Sequence, residues 1–418
     1  MSLFGDYLKE LIKNHNISVS ELSRKSNVDR TMIHKAISDK RIISYNALND
    51  ICSAMRLTPK EEKMLKYYYN IIFQGEEKFN AYNAILDIFY ELSNLKKFPC
   101  VNISNYIKIE DIENFTENNI IFSGYTTVYM ILRSIIYYEF QHENPRFEFT
   151  IPPSMSFFNN FVADLRQNCD KKVSIKHIIS FDADKEIDIN GLKYLKSVLP
   201  IGIILGQSYK VYYYYENNFS SKFVEPFPYF LVTHNHVMCF SVTGESVMLL
   251  SSKREAEYYH KNLKEYIESC RELITYSDNF VDFITKYQNI IGDDTFMSMM
   301  TQPCTMSLMT EEMLHKKFVY DEDGYDYIIE FIKKHIEKLK NYKHIHTIFS
   351  INGIKKFIKT GYLDEVPKQY MKRFNNDEIK SFINDFLNEI KSGNMSAQIY
   401  NDEQLCFPEY LSIAVGSN

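Results

Sequence analysis

Tryptophan is missing altogether, and glycine (13) and proline (11) are scarce for a chain of 418 residues. The glycines are isolated. None belongs to a GxxxxGK[ST] phosphate loop, and no GxSxG nucleophile elbow or HExxH zinc helix occurs. The seven cysteines, Cys52, Cys100, Cys169, Cys239, Cys270, Cys304 and Cys406, are scattered, odd in number and never in CxxC spacing. This argues against a zinc ribbon or a disulfide scaffold and predicts reduced thiols in a cytosol. No apolar run is suited to a bilayer: residues 198–206 are too few, and residues 121–138 carry Arg133 among several tyrosines. Asp6, Lys9 and Glu10 interrupt the opening stretch, so no secretory leader is expected and a cytoplasmic location is.

What is present is an ordinary folded composition, 45% apolar and 24% charged, made unusually aromatic by 32 Tyr and 30 Phe. The length predicts two or three domains. Net charge is -6, but it is unevenly spread. Residues 1–66 hold 12 Lys/Arg against 8 Asp/Glu, and the remainder holds 36 against 46. A basic head on an acidic body fits a DNA-contacting module attached to something else.

Residues 3–59 carry the clearest pattern. Leu8, Leu11 and Ile12 share one face of a first helix. Ser18 or Ser20 caps a second, which contributes Leu22. After the tight link Asn27-Val28-Asp29, Asp29 caps a third helix running to about Ser38. Val28, Ile33 and Ile37 point inward, leaving Arg30, Thr31, His34 and Lys35 outside. A fourth helix begins near Ser44 and buries Leu48, Ile51 and Met55.

In order and spacing, residues 4–58 resemble the Cro/C1-type (XRE) helix-turn-helix family. The small residue that such families often carry beside the turn falls in Leu22-Ser23-Arg24, where it is a serine. The resemblance implies that the third helix enters the DNA major groove and that Arg30, Thr31 and His34 stand at common base-reading positions. The chemistry agrees. Arg30 and Lys35 can donate to guanine edges or phosphates, and Thr31 and His34 can reach base edges. Ser18, Ser20 and the amides opening the second helix can hold a backbone phosphate, as can Lys40 and Arg41 beyond the third. Any one of these is equally a plain solvated side chain; the group carries more weight than its members. A half-site contact is small, so a homodimer on a palindromic operator in double-stranded DNA is expected.

The rest of the chain reads as α+β, giving a multidomain protein: an all-α helix-turn-helix domain followed by a larger α+β regulatory or oligomerisation body. The expected division is a head over residues 1–66, a mainly helical connecting or dimerisation region over 67–200, and an α+β sensor domain over 201–418. Helices are expected over 61–72, 76–95, 124–138, 155–168, 253–272, 275–286, 325–339 and 376–390, with another over 190–199 ended by Pro200. Residues 208–217 are strongly strand-forming. Residues 229–251 predict three short strands turning at His234-Asn235 and Gly244-Glu245. Tyr212 to Tyr215, Tyr229, Phe230 and Phe240 can line an aromatic pocket or simply fill core. The methionine-rich residues 297–313 read as core rather than as a repacking surface.

Catalysis finds little support. His234 and His236 can bind a metal, but no acidic or thiolate partner is fixed by spacing, so they read as a turn pair. Asp182, Asp184, Glu186 and Asp188 lack the glycine and terminal glutamate of a calcium loop. No metal, cofactor or enzymatic activity is expected. In layout the body resembles the large C-terminal regions of helix-turn-helix regulators of low-GC Gram-positive bacteria, which implies oligomerisation and a sensor for a small molecule or peptide. The expected function is therefore a sequence-specific, dimeric, effector-responsive transcriptional regulator with no membrane partner. One alternative is a peptide-responsive regulator with a helical-repeat body. Another is a phage-defence or toxin–antitoxin component with an enzymatic body.

Overall fold

The computed structural model describes residues 2–95, 120–166, 172–216, 226–277, 282–283, 286, 295–319, 325–342, 344–403 and 405–417. The chain forms two compact units, Met1–Ile85 with Asp184–Leu192, and Leu86–Ala183 with Lys193–Asn418.

The first unit opens with five helices: α1 (Leu3–Asn14), α2 (Val19–Ser26), α3 (Arg30–Ile37), α4 (Tyr45–Met55) and α5 (Pro59–Gln74). Each starts where a short polar side chain satisfies orphan backbone donors. Ser2, Ser18, Asp29, Ser44 and Thr58 accept from N–H groups of the first turn, and Thr58 completes a reciprocal capping box with Glu61. Such a cap typically contributes about 1 kcal/mol. The inward faces of all five helices meet in one core containing Leu8, Leu22, Ile33, Leu48, Ile51 and Leu65, all fully buried. Tyr69 ties α5 into this core, its hydroxyl donating to the Ile43 carbonyl at 2.7 Å. Gly5 lets α1 approach α3 closely, since a Cβ there would stand 2.4 Å from the Ile37 carbonyl oxygen. A sixth helix, α6 (Glu76–Ser93), follows Gly75.

In the second unit, an eight-stranded sheet is ordered β1-β7-β6-β5-β2-β3-β4-β8. Its strands are β1 (Ile121–Ser123), β2 (Arg146–Phe149), β3 (Ser174–Asp182), β4 (Tyr209–Glu216), β5 (Tyr229–Val232), β6 (Val237–Phe240), β7 (Ser246–Leu250) and β8 (Arg271–Glu272). The central β2, β3 and β4 are parallel, joined by crossovers that carry α8 (Phe158–Arg166) and α9 (Ile189–Leu205); the other pairings are antiparallel. With α7 (Tyr125–Glu139), α8 and α9 bury one face through Leu132, Phe161 and Val198. Helix α10 (Lys253–Ile267) covers the other with Ala256 and Leu263. Both faces are therefore apolar.

A second, four-stranded sheet, β11-β10-β9-β12, is built from β9 (Thr295–Met299), β10 (His344–Ser350), β11 (Met395–Tyr400) and β12 (Ile413–Ser417). The first three are parallel and β12 runs antiparallel to β9. Between them come α11 (Glu311–Lys317), α12 (Tyr325–Asn341), α13 (Ile351–Thr360) and α14 (Asn376–Ser392). Met300, Met306 and Met309 are buried in the core of this part, so those methionines fill space.

Several expectations change. The helix reaching Pro200 continues to Leu205 with the proline inside it. The lost hydrogen bond costs roughly 3 kcal/mol, and burial of Val198 and Ile201 on either side of Pro200 offsets it. Helix α10 ends at Ile267 because the chain then pairs Arg271 and Glu272 with β4. The first sheet takes strands from both sides of residue 200, because β3 and β4 pair along their whole length. Two sheets replace the helical-repeat body of the alternative reading. Half of the helix expected over 275–286 lies outside the described residues; of the rest, Thr275, Tyr276 and Ser277 are not helical, whereas Asp282, Phe283 and Lys286 are. Among the described residues no helix is long and apolar enough to cross a membrane.

Candidate nucleic-acid interface

The α2–α3 turn is set by local chemistry. Asn27 closes α2 in the left-handed region, φ 56°, which asparagine tolerates better than most residues. Ser23 Oγ donates to the Val28 carbonyl at 2.7 Å, and buried Ser26 Oγ donates to the Leu22 carbonyl at 2.7 Å. The serine in the small position thus holds the turn. Asp29 Oδ1 accepts the Thr31 and Met32 N–H groups at 2.8 and 3.2 Å, and these bonds hold its carboxyl below the usual range.

From that start α3 presents two faces. Ile33 and Ala36 are buried, with Met32 and Ile37 half-buried beside them. Arg30, Thr31, His34 and Lys35, at helical spacings of one, four and five, share the exposed side. Lys40 and Arg41 are exposed just past its end. Among the described residues none of Arg30, Lys35, Lys40 and Arg41 forms an ion pair. Ser18 and Ser20 are exposed at the start of α2. Ser18 Oγ already accepts the Glu21 N–H at 3.2 Å, which leaves its hydroxyl proton free to donate.

Residues 7–61 match the family model of the Cro/C1-type HTH DNA-binding domain. The head is a helix-turn-helix domain of this type. No curated protein matches the chain. The solved structure of TrmBL2, an archaeal chromatin protein described as showing a novel mode of DNA binding, aligns at 10% identity over 64% of this chain and 100% of that one. Its TM-score is 0.27, too low to carry an argument about this fold.

Away from the helix-turn-helix domain, the carboxyl ends of β3 and β4 open on a cavity of about 630 Å³. Thr150 and Pro152, which follow β2, line it together with Ser180, Tyr214 and Glu216 from β3 and β4 and Tyr259 and Tyr266 from α10. The position follows topology. From β2 the chain runs outward to β3 and β4, then returns to β5 on the opposite side of β2, which opens a crevice at the strand ends. Tyr214 donates to Glu216 at 3.1 Å and stacks edge-on against Tyr266 at 5.4 Å; burial pushes its phenol up. Of the expected aromatic pocket, Tyr214, Tyr229 and Phe230 line this cavity. Tyr212 and Phe240 are buried in the cores on opposite faces, and Tyr213 packs against one of them.

His234 and Asn235 form the two-residue turn between β5 and β6, closed by the Thr233 N–H donating to the His236 carbonyl at 2.9 Å. His234 meets Glu139 and His142 there. Sequence reasoning did not join these three, because His234 lies 95 residues beyond Glu139 on a separate element and no spacing links it to Glu139 and His142. Asp188, one of the acidic group after β3, accepts the Gly191 N–H at 2.9 Å at the start of α9.

Proposed function

We propose that the protein is a sequence-specific, DNA-binding transcriptional regulator of a bacterial cytoplasm. It acts as a homodimer on a palindromic operator, and its body senses a small-molecule or peptide effector and has no enzymatic role. The observation that carries this reading is the exposed side of α3, where Arg30, Thr31, His34 and Lys35 stand on a capped and fully packed helix-turn-helix. In the proposed complex Arg30 and Lys35 donate to guanine edges or phosphates, and Thr31 and His34 contact neighbouring bases. Ser18, Ser20, Lys40 and Arg41 hold the backbone and fix register. The third helices of the two subunits stand about 34 Å apart, one DNA turn.

The effector enters the cavity at the ends of β3 and β4. Its tyrosine-rich wall suits a planar or amphipathic molecule, with Ser180, Asn262 and Glu216 offering polar contacts. Genome-wide mapping of bound DNA, followed by titration of purified protein against the recovered sequence, tests the reading. A palindromic site bound by two chains is expected. A protein that ignores every host fragment at moderate salt sinks it.

A further inference from the structure

We propose that Glu139, His142 and His234 form a binding site for a divalent cation of the zinc type. The donor atoms of these three side chains lie within 4.8 Å of one another. They converge from two places. Glu139 ends α7 and His142 sits in the turn that follows, its N–H donating to the Glu139 carbonyl at 3.1 Å. His234 comes from the β5–β6 turn, 95 residues later in the chain.

The surroundings of Glu139 argue for a cation. Its side chain is only 2% exposed and sits at a helix C-terminus, where the backbone dipole disfavours negative charge. The backbone N–H groups of Arg146 and His234 donate to its two oxygens at 2.7 and 3.0 Å, fixing the carboxylate in place. Among the described residues its one side-chain ion-pair partner is His234, whose Nδ1 lies 2.5 Å from Oε1. A carboxylate taken this far out of water needs positive charge beside it. The imidazole of His142 stacks on that of His234 with ring centres 4.6 Å apart, an arrangement that brings a second donor to the same spot.

Two imidazoles and one carboxylate select the ion class. Magnesium and calcium take oxygen sets, whereas imidazole suits zinc and its transition-metal neighbours. A tetrahedral zinc with ligands at about 2.0–2.1 Å sets donor separations near 3.3 Å. Both histidines are half-exposed and can rotate to reach those separations, His234 giving up its direct 2.5 Å contact with Glu139 Oε1 as the ion enters between them. Three protein donors leave a fourth position for water or a ligand atom. None of the three residues lines the 630 Å³ cavity, so this site is separate from the proposed effector pocket. Once filled, it clamps the end of α7 to the β5–β6 turn.

The test uses the full-length protein stripped with a chelator and then titrated with ZnCl2 or MgCl2, followed by calorimetry and thermal denaturation. One tight zinc per chain and a raised Tm are expected, with no response to magnesium. His142→Ala weakens zinc binding at least tenfold with only a small change in the metal-free Tm, because its side chain is half-exposed and its contact with the Asn235 amide is long, at 3.5 Å. His315→Ala, at an exposed histidine on α11, leaves the zinc affinity unchanged. Failure of the stripped wild type to take up zinc overturns the proposal. So does wild-type affinity in both His142→Ala and His234→Ala.

Discussion

The helix-turn-helix core and the body treat charge in opposite ways. Among the described residues, the buried side chains of that core are apolar except for Ser26, and the cations around α3 stand in solvent. The body buries Glu139, Glu148, Asp164 and Lys317 together with His177 and His335. Its buried carboxylates have partners. Glu148 on β2 meets Lys176 of β3 at 2.8 Å and His260 of α10, whose other ring nitrogen lies 3.1 Å from an Arg146 nitrogen. Asp164 accepts from the Tyr129 hydroxyl at 2.9 Å and pairs with Arg133 at 3.2 Å. Charges in the body join its own elements, strand to strand and strand to helix at Glu148, helix to helix at Asp164. Those around α3, Arg30, Lys35, Lys40 and Arg41, are exposed and in no ion pair among the described residues.

The sharpest way to break this contrast is to remove a charge on each side. Glu148→Ala strands Lys176 and His260 without their shared carboxylate and is expected to cost about 3–5 kcal/mol of stability. Chemical denaturation read by tyrosine fluorescence, the natural probe in a chain with no tryptophan, measures it. Arg30→Ala removes an equally full charge from α3 and should stay within about 0.5 kcal/mol of wild type. Equal losses in the two variants would erase the distinction.

DNA binding reverses the ranking. Arg30→Ala and His34→Ala are each expected to cost about 1–3 kcal/mol of discrimination between the operator and altered sites. Glu148→Ala protein that remains folded should keep that discrimination. Competition binding against operators changed one base pair at a time is the measurement. If both α3 variants retain wild-type selectivity, the base-reading assignment fails.

How far the sequence disclosed these regions follows from the range of the interactions. The helix-turn-helix is local: each helix announces itself by a 3.6-residue stripe and a cap within four residues of its start, so Ser18, Asp29 and Ser44 mark real boundaries. Even there Ala36 was hidden, since one small residue adds little to a stripe. In the body, strands 229–232, 237–240 and 246–250 and both of their turns were readable from β-branched runs and turn residues. The helix ends at Leu205 and Ile267 were not, because tertiary packing decides them. The tyrosine run of β4 is unbroken from Tyr212 to Tyr215, so its sequence shows no polar–apolar alternation, although Tyr212 is buried and Tyr215 exposed. Nothing in the spacing tells that Tyr214 reaches a cavity while Tyr209 and Val211 fill the opposite core. The cluster around Glu139 is the extreme case, since only the sheet order brings the α7 end to the β5–β6 turn.

Acid should separate the regions next. Burial holds the His177 imidazole down to about 3, between the Tyr209 hydroxyl at 2.7 Å and the Ile151 carbonyl at 2.9 Å. Because the folded value lies below the unfolded value near 6.5, the unfolded chain takes up the proton first. The His177 contribution to stability is complete above about pH 6.5 and falls by roughly 1.4 kcal/mol for each pH unit below it, until the folded value is reached, while Glu365, whose carboxyl burial pushes up to about 7, acts in the opposite direction above about pH 4.5. Denaturation midpoints of wild type and His177→Gln at pH 7, 6 and 5, compared at each pH, isolate the histidine's share. His177→Gln should flatten the slope even from a lower starting stability. The helix-turn-helix core, which buries no histidine among the described residues, lacks this contribution.

The smallest expected effect concerns Lys40 and Arg41. If they touch phosphates rather than bases, Lys40→Ala and Arg41→Ala weaken operator and non-specific DNA alike, leaving the ratio between them unchanged. Each lost phosphate contact also reduces the slope of log affinity against log salt by about 0.9. Binding isotherms at several salt concentrations, on operator and on scrambled duplex, give both quantities. A change in the ratio would move these residues into the base-reading group. An unchanged slope would make them ordinary solvated side chains, and the part of the surface left for DNA would shrink to the four exposed residues of α3 with Ser18 and Ser20.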